Sequence, residues 1–163
     1  MGPEPMQFRA VQRGLGSEGL VVEITTDARR WIGNFQRGDG RYNAVYGTPS
    51  PAHVCVIAGG TGYYVSTINP NEFEIVAAYP IQDAREIVGL DLLVFADYTN
   101  LVAYGPKGLC WRTKQVSWDG VKIDRADEQA IVGRAWDATK QGEVGFLVDA
   151  RTGELEGGAS PSS

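Results

Sequence analysis

His53 is the only histidine of the chain, and it precedes Cys55 by two residues in the apolar segment HVCVIA. Side chains two residues apart on a strand share one face, so the sequence places a thiol beside an imidazole. Such a pair could act as nucleophile and base. A cysteine inside an apolar run is more commonly a buried, inert thiol, which we favour here. Two cysteines and one histidine, without C-x-x-C or H-x-x-x-H spacing, predict no metal site, and we expect no cofactor.

Aspartates follow several strand-like segments, where carboxylates across a cleft could do acid–base work or bind calcium. No D-x-D-x-D-G loop is present, and an aspartate at a strand end commonly bonds the backbone N–H groups of its own turn. We therefore favour a structural role in turns over a catalytic role for five aspartates: Asp97, Asp119, Asp124, Asp137 and Asp149.

Aromatic side chains near predicted strand ends are the strongest candidates for recognition, because tryptophan and tyrosine combine a large apolar area with a polar group. The candidates form one group with Arg112 and Arg134 nearby: Tyr98, Tyr104, Trp111, Trp118 and Trp136. For any single tryptophan we favour the alternative, that it fills the space between sheets. The hypothetical binding surface consists of Asp97, Tyr98, Arg112, Trp118, Asp119, Arg134, Trp136 and Asp137.

Composition limits the classes of partner. The chain has 163 residues, 43% of them hydrophobic, and a net charge of −5, which indicates a folded domain and argues against binding to nucleic acid. Its apolar runs are far shorter than the about 20 residues that span a bilayer, so no membrane partner is expected. The first residues lack the apolar core of a secretion signal, and with two free thiols we expect a cytoplasmic protein. An acidic stretch, 119–156, indicates a basic partner.

Short β-type segments separated by turn residues predict an all-β chain. We expect an irregular arm over 1–18, a single all-β domain over 19–156 and a disordered tail over 157–163. RWIGNF and RYNAVYG around RGDG predict a hairpin over 30–47, and QVSW (115–118) predicts a further strand. DAREIVG (83–89) is the best helical candidate, although it is equally compatible with a strand.

A repeat organises residues 56–158. VIAGGTGYYVS (56–66) aligns with VFADYTNLVAY (94–104), and a looser copy covers 130–158. Each copy has two apolar strands, a second turn and a third strand, with the second turns INPNE, GPKG and DARTGE. The glycines of GGTG have no counterpart in the second copy and precede a strand, not a helix, so we predict a hairpin turn and no phosphate-binding loop. VCVIA and LLVFA are apolar at odd and even positions, which predicts strands covered on both faces.

This unit resembles a β-propeller blade, in particular the quinoprotein-like kind with D-x-x-T-G-E before the outer strand, here Asp149 to Glu154. The resemblance covers about 53–158 and implies antiparallel β-meander repeats in a propeller-blade-like arrangement. A two-layer β-sandwich is the alternative. The layout also resembles that of small bacterial all-β proteins, which implies no activity.

These observations favour a non-catalytic binding module for a protein or small-molecule ligand. Two alternatives remain open. One is a hydrolase that uses strand-end aspartates or His53, and the other is an accessory or immunity-type protein that binds a basic protein partner. An incomplete set of blades would expose inter-blade surface, which a homodimer would cover.

Overall fold

The computed structural model describes residues 4–10, 19–47, 50 and 52–159. Within these residues the chain is all-β, as predicted, and its one helical element is a single 3-10 turn, Val88–Leu90. The strands are β1 (Met6–Phe8), β2 (Leu20–Thr25), β3 (Arg30–Phe35), β4 (Ala44–Gly47), β5 (His53–Ala58), β6 (Thr61–Ser66), β7 (Phe73–Ile75), β8 (Asp83–Ile87), β9 (Leu92–Ala96), β10 (Leu101–Gly105), β11 (Gly108–Arg112), β12 (Val121–Ala126), β13 (Ala130–Asp137), β14 (Gly142–Asp149) and β15 (Leu155–Gly157).

The described strands form four separate sheets. The first has the order β1-β3-β2, in which β1 runs parallel to β3. The second (β4–β7), third (β8–β11) and fourth (β12–β15) are four-stranded antiparallel meanders. This confirms meander repeats with the four-stranded form of propeller blades, and the alternative of a two-layer sandwich is wrong because the strands divide among four sheets.

Three buried apolar clusters hold neighbouring sheets together. The first and second sheets meet through Phe8, Ile24, Trp31, Phe35, Val54, Val56, Ala58, Tyr63 and Val65. The second and third sheets meet through a cluster that includes Cys55, Ile57, Tyr64, Leu93, Phe95, Val102 and Tyr104. The third and fourth sheets meet through a cluster that includes Val94, Ala96, Leu101, Ala103, Ile131, Ala135, Phe146 and Val148. Alternate residues of β5 and β9 enter different clusters, which confirms that both faces of these strands are covered.

The outward face of the fourth sheet carries charge where the third sheet carries small apolar residues. Val94 and Ala96 of β9 face the next sheet and are fully buried. In β13 the outward alternate residues are Arg134 and Trp136, both exposed. Arg134 pairs with Glu143 on the neighbouring strand, at 3.0 Å. Polar outer faces of this kind are typical of the last unit in a stack, and within the described residues no buried cluster joins the first sheet to the fourth.

Gly59 and Gly60 form the two-residue loop of the β5–β6 hairpin, as predicted. Their φ angles are +52° and +79°, a conformation that favours glycine and belongs to the turn type of tight hairpins. Ala58 is paired with Thr61 directly across the loop. The corresponding loop of the third sheet has four residues, so Thr99 lies in the loop whereas Thr61 already belongs to a strand.

The hairpin predicted over 30–47 is wrong. β3 pairs with β1 and β2, and β4 pairs with β5, so the two segments belong to different sheets. The RGDG segment between them docks on the glycine loop of the second sheet. The N–H groups of Gly38 and Gly40 donate to the carbonyl oxygens of Ala58 (3.1 Å) and Gly59 (2.9 Å). A turn-rich sequence served here as a connection between sheets.

Other elements differ from the sequence-based expectations in detail. The segment 83–89 is the strand β8 followed by the start of the 3-10 turn, and QVSW (115–118) is a loop, not a strand. Val116 in this loop is fully buried because it packs between the third and fourth sheets. The three repeat copies and their second turns are confirmed, since each of these turns joins the last two strands of a sheet.

The segments predicted as an irregular arm (1–18) and a disordered tail (157–163) contain ordered residues. The segment 1–18 includes β1, a strand that the expected irregular arm did not contain, and 11–18 lie outside the described residues. At the other end, Gly157 belongs to β15, and the buried Ala159 donates its N–H to the carbonyl oxygen of Val116 at 2.6 Å. The rest of the predicted tail, 160–163, also lies outside the described residues.

Candidate functional site

Three segments of the third and fourth sheets meet at one end of the strands: the β9–β10 loop, the loop 113–120 and the end of β13. The N–H of Gly120 donates to the carbonyl oxygen of Tyr98 at 2.8 Å, and that of Trp118 donates to the carbonyl oxygen of Trp136 at 3.0 Å. These bonds bring together four of the residues predicted from sequence: Tyr98, Trp118, Asp119 and Trp136.

Ser117 fixes the conformation of the loop 113–120 through hydrogen bonds. Its buried hydroxyl donates to the carbonyl oxygen of Gly120 at 2.7 Å and accepts the N–H of Trp136 at 2.9 Å. The N–H of Ser117 in turn donates to the carbonyl oxygen of Thr99 at 3.2 Å. Ser117 thus ties the loop 113–120 to the fourth sheet through its side chain and to the β9–β10 loop of the third sheet through its backbone, and a buried hydroxyl with its partners in place makes the loop geometry specific.

Three large aromatic side chains are exposed on this support. The exposed fractions are 44% for Tyr98, 38% for Trp118 and 39% for Trp136. We call these three residues the aromatic rim. Asp119, also exposed, lies in the same loop as Trp118. Exposed aromatic groups on a rigid backbone can bind an apolar or planar group with little loss of conformational entropy.

Asp97 and Asp137 stabilise the loops beneath the rim. The carboxylate of Asp97 accepts the N–H groups of Thr99 (2.9 Å) and Asn100 (2.8 Å). The carboxylate of Asp137 accepts the hydroxyl (2.6 Å) and the N–H (2.9 Å) of Thr139, and the first of these bonds holds the pKa of Asp137 below its usual value. Both carboxylates are engaged in their own loops, as turn residues are.

The two predicted arginines lie on strands next to the rim. Arg112 is exposed on β11, the outer strand of the third sheet, opposite Val102. The Arg134 guanidinium donates to both carboxylate oxygens of Asp124, each at 3.2 Å, and to Glu143 at 3.0 Å. The hydrogen bonds to Asp124 raise the pKa of Arg134 above its usual value. Arg134 therefore serves the outer face of the fourth sheet.

Two further aromatic residues considered from sequence belong to the core. Trp111 is 8% exposed, and its indole N–H donates to the carbonyl oxygen of Ala150 at 3.0 Å. Tyr104 is buried, and its hydroxyl accepts the N–H of Ala77 at 2.9 Å. For these two, the interpretation as space-filling residues between sheets holds.

The cysteine–histidine pair is not arranged for nucleophilic chemistry. The Cys55 side chain is fully buried between the second and third sheets, and this burial raises the pKa of its thiol far above the usual value. His53 stacks on Tyr64, with ring centroids 4.7 Å apart, and its Nδ1 lies 3.1 Å from the Ser50 hydroxyl. A thiol that stays protonated and inaccessible cannot attack a substrate.

The described residues contain neither a metal-binding cluster nor a membrane-spanning helix. In the described ranges no three His, Cys, Asp or Glu side chains lie close enough together to hold a metal ion. Within the same ranges, the structure contains no helix with the length and apolar character needed to cross a bilayer.

A further cleft is not marked by any pattern in the sequence. It lies between the second and third sheets, at the end of the strands opposite the rim. It is lined by His53, Tyr64, Glu72, Phe73, Glu74, Pro106, Lys107 and Gly108. Its acidic residues, at 72 and 74, and its lysine, at 107, are separated by more than thirty positions in the sequence, and no local pattern marks such a pairing.

No protein-family model matches the sequence, and no curated protein matches it. Among solved structures, the chain is similar to a crystal structure of the N-terminal domain of Nup159, with 15% sequence identity and a TM-score of 0.44. The similarity covers 85% of this chain and 34% of the other, so the present chain spans about a third of that domain.

Proposed function

We propose that the protein is a non-catalytic binding module whose aromatic rim recognises a segment of a protein partner. The observation that carries this proposal is the exposure of Tyr98, Trp118 and Trp136 on a backbone that hydrogen bonds already fix. Aromatic residues dominate the energetics of protein interfaces, and a rigid support reduces the entropy lost on binding. We further propose that the four sheets are blades of the propeller type, with the quinoprotein-like second turn Asp149 to Glu154.

Quantitative affinity capture tests the rim. The wild-type protein and a Trp118→Ser/Trp136→Ser double variant would be immobilised and exposed to the proteome of the source cell. Val21→Ser is the matched control, because Val21 is 61% exposed and lies on the first sheet, away from the rim. We expect a partner that wild type and control retain and the double variant loses. For the purified partner, the loss of two interface tryptophans should weaken binding at least about thirty-fold.

Equal capture by the wild type and the double variant would refute the rim as the binding surface. Dependence on salt separates the proposal from the alternative of a basic partner. Binding through aromatic contacts survives high salt, whereas binding through the acidic stretch 119–156 weakens with it. Several acids of that stretch already pair within the chain, as Asp124 and Glu143 do with Arg134, which leaves fewer for a partner.

The remaining proposals concern catalysis, assembly and location. A hydrolase has less support, because Asp97, Asp137 and Asp149 all accept N–H groups of their own loops. A homodimer would use an outer face of the end sheets, and light scattering that gave twice the 17.6 kDa chain mass would support it. We also propose a cytoplasmic location, where the exposed Cys110 would stay reduced.

A further inference from the structure

The cleft between the second and third sheets has an aromatic inner part. Its volume is about 340 Å³, at the lower end of the range for small-molecule sites. Tyr64, which is buried, and His53, which is half-buried, stack with an interplanar angle of 23°. The Tyr64 hydroxyl donates to the carbonyl oxygen of Gly105 at 3.0 Å, and this bond connects the second sheet to the β10–β11 turn. The cleft therefore offers a planar surface on a fixed support.

The two walls of the cleft carry opposite charges. Glu72 lies in the β6–β7 turn and Glu74 lies in β7, whereas Lys107 lies in the β10–β11 turn. Glu72 already accepts the side-chain amide of Asn69 at 3.2 Å. The Glu74 carboxylate reaches towards the opposite turn, since its Oε1 lies 3.6 Å from the position that a Cβ on Gly108 would occupy.

Glu74 and Lys107 nevertheless do not pair with each other. Among the described residues, every ion pair within 4.0 Å involves other side chains. Each charge thus faces the same cleft from its own wall, with an aromatic surface between them. A ligand that carries both charges could satisfy both walls at once, and each interaction would be stronger in the cleft than in open water.

We propose that this cleft binds a small zwitterion with a planar apolar body, of the class of the free aromatic amino acids. The ligand's ammonium group contacts the Glu74 carboxylate, and its carboxylate contacts the Lys107 ammonium. The ring of the ligand stacks on His53. This site is separate from the aromatic rim, because the two lie at opposite ends of the strands of the third sheet.

The single histidine provides a direct assay. The imidazole proton resonances of His53 would be followed by NMR at fixed pH while L-phenylalanine is added to about 10 mM, against an expected Kd of about 1 mM for a ligand of this size. Phenethylamine lacks the carboxylate and 3-phenylpropionate lacks the ammonium group. We expect saturable shifts with L-phenylalanine and about five-fold weaker binding of either partial ligand, since an exposed ion pair contributes about 1 kcal/mol at most.

Variants assign each charge. Lys107→Gln should weaken the binding of L-phenylalanine about five-fold and leave the affinity for phenethylamine unchanged. Glu74→Gln should leave the affinity for 3-phenylpropionate unchanged. Lys140→Gln and Glu154→Gln remove exposed charges outside the cleft and should change nothing. Absence of a His53 shift with L-phenylalanine would overturn the proposal. Equal affinity for L-phenylalanine and phenethylamine would also overturn it, because Lys107 would then have no part in binding.

Discussion

Trp111 gives the sharpest test of how the third and fourth sheets are joined. Its side chain is 8% exposed within their shared cluster, and its indole N–H donates to the carbonyl oxygen of Ala150. Trp111→Phe removes that hydrogen bond, which costs about 1–2 kcal/mol when a buried acceptor loses its donor. The smaller ring leaves a cavity that adds about 1–2 kcal/mol. The expected fall in the free energy of unfolding is therefore about 2–4 kcal/mol.

Trp118→Phe is the matched control, since the same chemical change occurs at a side chain that is 38% exposed. Its effect should stay within about 0.5 kcal/mol. Urea denaturation followed by far-ultraviolet circular dichroism measures both, because neither variant removes the backbone signal. With a slope of about 2–3 kcal/mol per molar urea, the Trp111 variant should unfold about 1 M earlier. Equal midpoints for the two variants would refute the assignment of Trp111 to the core and of Trp118 to the surface.

Three further predictions concern a loop, an ion pair and a thiol. Gly60→Ala should destabilise the protein by at least about 1–2 kcal/mol, because its φ is +79° and an added Cβ would lie 2.8 Å from the side chain of Pro80. Gly47→Ala is the control, because its added Cβ meets no described atom within 4 Å, and it should be neutral or stabilising. Thermal unfolding of both variants measures the two effects. The hydrogen bond from Lys122 and the neighbouring Arg134 lower the pKa of Glu143. Its stabilising effect is therefore present above the ordinary carboxyl range and is lost as pH falls through the lowered pKa. Glu143→Gln should accordingly lower the urea midpoint at neutral pH and leave it unchanged in acid, and an equal loss at both pH values would contradict this account. A thiol reagent should titrate only Cys110 in the native protein and both cysteines in denaturant, because Cys55 is fully buried; rapid modification of both in the native state would show that the second and third sheets open readily.

The inner strands could be predicted from the sequence because they consist almost entirely of apolar residues. VCVIA and LLVFA are apolar at every register position, and the structure buries these segments on both faces. The glycine loop was predictable for a related reason, since only a tight hairpin requires two glycines between alternating strands. Local chemistry sufficed where the neighbouring strand was also the next in sequence.

Predictions failed where the partner of a segment lay far along the chain. RGDG has the composition of a hairpin loop, yet its N–H groups bond to the loop of the next sheet. Val116 lies in a segment with the apolar pattern of a strand, but that segment is a loop that places the Val116 side chain in the core. At the site, the sequence named the rim aromatics but could not separate them from Trp111, because exposure depends on which sheet covers each residue. The cleft was missed because its two walls come from different sheets.

The outer strands of the three meanders also bear on solubility. β7 and β15 have three residues each, and both contain a glutamate. An outermost strand presents unpaired backbone groups that can recruit a strand from another molecule, and short, charged strands make poor templates for this. We therefore expect Glu74 and Glu156 to protect these edges against aggregation. Substitution of either by valine would create an adhesive edge in a protein whose fold is otherwise intact.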